Sequence, residues 1–317
     1  MTAAGGRDGA GVRIACVQLA PVVGDPAGNA ARSVRAVADA VAAGADLVVL
    51  PELVTSGYVF AGPREARAAA IRADDALLRA WAGAAGSAVV VGGFCELGDG
   101  GLLHNSAAVV AGGEVLAVHR KVHLWDAETL VFTPGSAPPP VVRTRIGAVG
   151  VLVCYDLEFP ELTRGLARAG ADVVAVPTNW PLQPRPAGER APEVVVAMAA
   201  ARVNRMAIAC CDRGGTERGQ AWTERSTIGD VDGWVVAEAA PPSAPAGVPV
   251  TGDGPGGAAV VRARIDLAAA RDKSLSPRNH ALDDRRPDVY AAFEEQLENQ
   301  LEDRPRTVAP PTPGATP

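Results

Sequence analysis

Glu52, Lys121 and Cys154 are each the first reactive side chain after an apolar run: ADLVVLPE ends on Glu52, the run before HRKVHL leads to Lys121, and GAVGVLVCY delivers Cys154. A thiol is a weak nucleophile until it is deprotonated, and a carboxylate within hydrogen-bond reach can take that proton. A nearby ammonium stabilises both the thiolate and an oxyanion formed on a carbonyl under attack. The three residues make chemical sense only if they meet. Ligands of open α/β sheets bind outside the carboxyl ends of the strands, and side chains ending three strands can converge there.

The elements that must bring them together can be read from periodicity. VRIACVQLA (12–20) reads as a strand, 29–43 as a helix with Val34, Val37 and Val41 on one stripe, and 45–52 as a second strand. This β-α-β unit predicts parallel strands with a right-handed crossover. A helix over 71–85 and a strand over 87–97 follow. Two apolar runs over 105–124 flank AGGE and predict a hairpin, while GAVGVLVCYD predicts a strand and Pro160 opens a helix that Gly170 closes. Further strands are expected over 171–177, 206–212 and 258–267, a hairpin around 230–233, and a helix from the Pro-rich loop 181–192 to Asn204. The stretch 240–257 reads as a Pro/Gly loop and 287–301 as a polar, acidic helix. β-α-β units together with hairpins imply mixed sheets covered by helices. The domain reading is a disordered N-terminus (1–11), one domain over 12–302 and a disordered Pro-rich tail (303–317).

Composition narrows the function. The chain has 317 residues, of which 48% are hydrophobic, enough to bury a sizeable core. A net charge of −6 and no clustered Lys or Arg argue against nucleic acid. No apolar run is long enough to span a membrane, and the first residues lack a signal-peptide core. Five cysteines without framework spacing predict a reduced, cytoplasmic setting. Only Lys121 and Lys273 are lysines among 30 basic residues; the other 28 are arginine. Lys is a compact point charge where Arg is a broad planar one, so a lysine kept in HRKVH asks for a reason.

PEL around Glu52, HRKVHLWD around Lys121 and CYDLEFPE around Cys154 resemble, in order, the catalytic motifs of the nitrilase superfamily of carbon–nitrogen hydrolases. NSA at 105–107, the run from Glu128 to Gly135 and RRPDVY at 285–290 extend the resemblance over roughly 12–290. It implies Cys154 as nucleophile, Glu52 as general base and acid, Lys121 as oxyanion stabiliser with the Tyr155 N–H, and Glu128 as a further glutamate that positions substrate. It also implies an α/β fold that is a four-layer αββα sandwich with two mixed β-sheets, no cofactor or metal, and a homodimer or higher homo-oligomer.

Within that resemblance, CYDLEFPE is closer to the amidase and carbamoylase branches than to nitrilases. The expected reaction is hydrolysis of a small aliphatic amide to acid and ammonia. An N-carbamoyl (ureido) substrate is the alternative, followed by a nitrile or a non-catalytic binding subunit. Tyr58, Trp125, Asn179 and Trp180 are candidates for substrate contact. Arg185 and Arg190 could bind a substrate carboxylate, or be solvated loop charges. Cys16, Cys95, Cys210 and Cys211 read as core. His119 and His123 share a strand face but lack a third ligand, and read as structural.

Overall fold

The computed structural model describes residues 11–239 and 259–302. Residues 1–10 of the expected N-terminal stretch, the 240–257 loop and the Pro-rich tail lie outside the described residues. By compactness the chain divides at Lys273.

In the first unit the strands are β1 (Val12–Gln18), β2 (Leu47–Val49), β3 (Val89–Leu97), β4 (Leu103–Ala111), β5 (Glu114–Arg120), β6 (Val141–Thr144), β7 (Gly147–Val151), β8 (Val173–Pro177), β9 (Ala207–Cys211), the short pair β10 (Thr216–Glu217) and β11 (Gln220–Ala221), then β12 (Thr227–Gly229), β13 (Val235–Glu238) and β14 (Ala259–Ile265). Its helices are α1 (Pro26–Ala42), α2 (Pro63–Ala69), α3 (Ala76–Ala85), α4 (Pro160–Arg168) and α5 (Pro192–Asn204). One sheet runs β14-β1-β2-β3-β4-β5 and the other β13-β12-β9-β8-β7-β6. Each has a parallel triplet at its centre, β1-β2-β3 and β7-β8-β9, with antiparallel strands outside it.

Helix-covered parallel strands must be apolar on both faces, and LVV, VVAVP and AIACC are buried throughout. Alternate residues of β1 separate the two layers. Ala15 and Val17 join the core under α1 and α3 with Val37, Leu78 and Trp81, while the opposite face of β1 meets β9 of the second sheet. Leu166 of α4 packs on Gly150 of β7, and α5 lies against β9. The expected four-layer sandwich of two mixed sheets is present. The second unit, from Ser274, holds β15 (Ser274–Ser276), β16 (Asn279–His280) and the helix α6 (Pro287–Glu302).

Local departures from the expected elements have physical causes. The strand expected over 45–52 closes at Val49, because Pro51 has no N–H to continue a ladder. The helix expected from Ile71 starts at Ala76, where the Asp75 carboxylate caps the Leu77 N–H at 2.8 Å, while Ile71 bridges to Glu96. Helix α2 has no capping side chain to announce it. Among the described residues, no helix is long and apolar enough to cross a membrane.

Candidate active site

The three apolar runs end at one place, and in each case the reactive residue stands just beyond its strand. Lys121 is one residue past β5, still tied to β4 by its N–H to the Asn105 carbonyl (2.8 Å). Glu52 sits in the turn after β2, followed by Leu53 with φ +48°. Cys154 is three residues beyond β7 and opens a single 3-10 turn, Cys154–Glu158. Its φ of +47° is strained for a residue with a Cβ. That sharp turn explains how a buried strand can present its thiol at a cleft. Gly93 of β3 is required here, since a Cβ on it would stand 2.5 Å from the Glu52 Cα.

Lys121 Nζ donates to Glu52 Oε1 and to Glu128 Oε1, each at 2.7 Å, and its side chain is fully buried. Asn105 Nδ2 donates to the same Glu52 oxygen at 2.7 Å. Glu128 lies on a 3-10 turn, Asp126–Leu130, which it closes by accepting the Trp125 N–H at 3.0 Å, and it also accepts from Tyr58 Oη at 2.6 Å. Asn179 touches both halves of the site. Its Nδ2 donates to the Glu52 carbonyl at 3.0 Å, and its own N–H is directed at Cys154.

Burial pushes Glu52 up to about 7 against the pull of Lys121. Burial also opposes the Lys121 ammonium, but Glu128 and Glu52 outweigh it and keep the lysine charged. Burial and then the Glu52 charge raise the Cys154 thiol well above its ordinary range, with Lys121 and the Asn179 N–H acting the other way. The resting cysteine is therefore a thiol rather than a thiolate. Glu52 Oε2 is buried and has no hydrogen-bond partner.

Tyr58, Trp125, Cys154, Tyr155, Asn179 and Trp180 line one narrow cleft of about 30 Å³, with Glu158, Pro181, Gln183 and Glu193. Its size admits a small group and excludes a folded chain. Arg185 and Arg190 do not line it. Arg190 is held by Glu238, which Arg225 also contacts, and Arg185 lies on that side, where its charge is felt by Arg225. A wider groove of about 530 Å³, lined in part by Arg13, Asp46, Arg145 and Arg271, contains no nucleophile, and Asp46 pairs with both Arg13 and Arg145.

Several residues escaped the sequence reading. Asn105 was visible only inside NSA. Glu217, in the run DRGGTERG that reads as a loop at the site mouth, is buried; it pairs with Arg213 at 3.0 Å and accepts the Tyr58 and Val59 N–H groups. Asp156 is the largest omission. It accepts from His119 Nε2, His123 Nδ1 and the N–H groups of Val122, His123 and Val153, all within 3.3 Å. These bonds join the turn carrying Cys154 to the segment carrying Lys121, and they explain the two histidines as partners of a carboxylate. Burial would raise Asp156, but the hydrogen bond and charge of His119 hold it below its usual value. Asp156→Ala strands several buried donors, so a loss of about 3 kcal/mol or more is expected, read from urea unfolding, with kcat reduced alongside. An unchanged urea midpoint would show that the carboxylate holds nothing together.

Lys273, the other lysine, is also buried. It is 7% exposed and donates to the Asn204 and Arg205 carbonyls at 3.1 and 2.8 Å, satisfying the C-terminal end of α5. Both lysines of this arginine-rich chain are thus buried ammonium groups donating to closely spaced oxygens.

The carbon–nitrogen hydrolase family model matches residues 13–269. The chain belongs to that family and is an amidase-like carbon–nitrogen hydrolase. It is similar to a nitrilase of Pyrococcus abyssi, 33% identical over 285 residues covering 88% of this chain and 99% of that protein. An (R)-stereoselective amidase of Pseudomonas is 36% identical over 173 residues, covering 55% of this chain and 62% of that one. Among solved structures, an amidase from Nesterenkonia superposes with a TM-score of 0.70 at 28% identity, over 90% of this chain and 97% of that one. A variant of that amidase carries the acetamide moiety of fluoroacetamide covalently on its active-site cysteine.

Proposed function

We propose that the chain hydrolyses small aliphatic amides, R–CO–NH₂ + H₂O → R–COOH + NH₃, through a thioester on Cys154. The observation that carries this reading is a buried Glu52 Oε2 with no hydrogen-bond partner, in a carboxylate whose charge acts on Cys154, while the other Glu52 oxygen is occupied by Lys121 and Asn105. Glu52 takes the Cys154 proton as the sulfur attacks the carbonyl carbon. The Lys121 ammonium and the Tyr155 N–H, which lies in the first turn of a helix where such groups have no partner within the helix, hold the oxyanion. Protonated Glu52 then gives its proton to the departing ammonia, and the acyl group stays on sulfur. Water, deprotonated by Glu52, attacks the thioester; the acid leaves and the thiol is restored. Glu128, with the Tyr58 hydroxyl and Asn105 fixed on it, sets where the substrate amide lies. The cysteine adduct in the Nesterenkonia amidase supports the covalent step.

The test is ammonia release from a panel of small amides, ureido acids and nitriles. Ammonia from amides without carbon dioxide is expected. Ammonia with carbon dioxide from ureido acids alone, or turnover of nitriles alone, would overturn the proposal. The pH dependence is part of the same test. Glu52 must be ionised to accept a proton and its carboxyl is raised to about 7, so kcat/KM should fall about tenfold per unit below that pH. A rate still level at pH 5 would remove Glu52 from the role of base.

A further inference from the structure

The lining of the cleft bears on which amides it takes, an inference that rests on the amidase reading above. At the rim stand two carboxylates, Glu158 at the end of the Cys154 turn and Glu193 in the first turn of α5. Neither has an ion-pair partner among the described residues, and partial burial together with the Glu193 charge raises Glu158. The cations of the neighbouring loop do not relieve them, since Arg190 is committed to Glu238 and Arg185 lies outside the lining.

Deeper in the cleft, Asn179 is 1% exposed and its Oδ1 has no partner. Its amide orientation is set by Nδ2 donating to the Glu52 carbonyl, so the free atom is an acceptor. Tyr58, Trp125, Tyr155 and Trp180 supply aromatic surface between these groups. Of the other charges nearby, Lys121 is held between Glu52 and Glu128 with one N–H left for the oxyanion, and Asp212, behind Trp180, is occupied by the Trp180, Arg213 and Arg225 N–H groups. The cleft therefore offers unfilled acceptors, negative charge and aromatic faces, and no Lys or Arg stands among its described lining residues. A substrate carboxylate finds no partner there and is repelled, whereas an ammonium gains from all three features.

We propose that the substrates are small amides whose acyl chain carries a protonated amine, received by Glu158 and Glu193 at the rim and by Asn179 Oδ1 within. A cleft able to bind a carboxylate-bearing ureido acid would need a free Arg, and Arg185 and Arg190 are placed elsewhere.

Three amides of nearly equal size separate the possibilities: β-alaninamide (cationic), butyramide (neutral) and succinamate (anionic), with kcat/KM measured at pH 7. β-Alaninamide should exceed butyramide by about tenfold or more, the size of one partly screened charge contact, and succinamate should fall below butyramide by a similar factor. In the Glu158→Gln/Glu193→Gln double variant the ratio of β-alaninamide to butyramide should drop towards one, and added salt should shrink it in the wild type. Succinamate turned over as well as β-alaninamide, or an unchanged ratio in the double variant, would overturn the assignment. The wild-type ranking stands independently of how the variant folds. Silence on all three substrates would instead bring down the amidase reading itself.

Discussion

Cys154→Ala is expected to lower ammonia release by at least about ten-thousand-fold while leaving the protein folded. The substitution removes one sulfur atom and keeps a Cβ in the same left-handed conformation, so it adds no backbone strain beyond what Cys154 already carries at φ +47°. No other thiol can take over the role. Cys16, Cys210 and Cys211 are fully buried in the central strands, and Cys95 lies in a separate apolar cluster with Leu53 and Phe132, its thiol pushed up by burial to about 12. Circular dichroism and the thermal midpoint should match the wild type. Retained turnover of any amide by this variant would show that the cleft's chemistry does not run through sulfur.

Lys121→Met is expected to combine the loss of activity with the largest loss of stability. Removing the cation leaves Glu52 and Glu128 facing each other without counter-charge in a site where both are buried. Breaking a buried ion pair from one side costs about 3–5 kcal/mol. The loss should depend on pH with a definite sign. Carboxyls whose folded pKa is raised contribute stability below their unfolded pKa and lose it as pH rises through the folded one. Glu52 is already raised to about 7 with the lysine present, and the lysine's charge is what holds it down, so without it Glu52 moves further up. The difference in unfolding free energy between wild type and variant should therefore be smallest at pH 5 and grow as pH rises above about 7. An equal difference at both pH values, or none, would mean that the site does not hold opposed charges. Lys121→Arg should recover part of the stability but not the activity, because a planar guanidinium does not fit between two carboxylate oxygens each 2.7 Å from one nitrogen. That answers why this lysine persists in a chain that otherwise uses arginine.

Much of the architecture could be read from the chain because its determinants are local and periodic. The continuous apolar runs of β8 and β9 announce strands buried on both faces, and the Pro and Gly residues around α4 mark its ends. Glu52, Lys121 and Cys154 were likewise legible, since each interrupts an apolar run with a side chain too reactive for packing. Their motifs and order pointed to the family.

What the sequence left open depends on contacts across long separations. Asp156 takes its importance from donors on residues 119–123 and 153, and nothing beside it in CYDLEFPE reveals them. Asn105, Glu217 and Lys273 are the same case. Each is an ordinary polar residue until folding buries it and supplies its partners. The loop arginines show the converse, because Arg190 could have faced the cleft until the tertiary structure gave it to Glu238. The residue types and their order along the chain set the available chemistry. Which charges meet, which remain free and which face the substrate was decided only by folding, because electrostatic pairing depends on distance and burial in space rather than on position in the sequence.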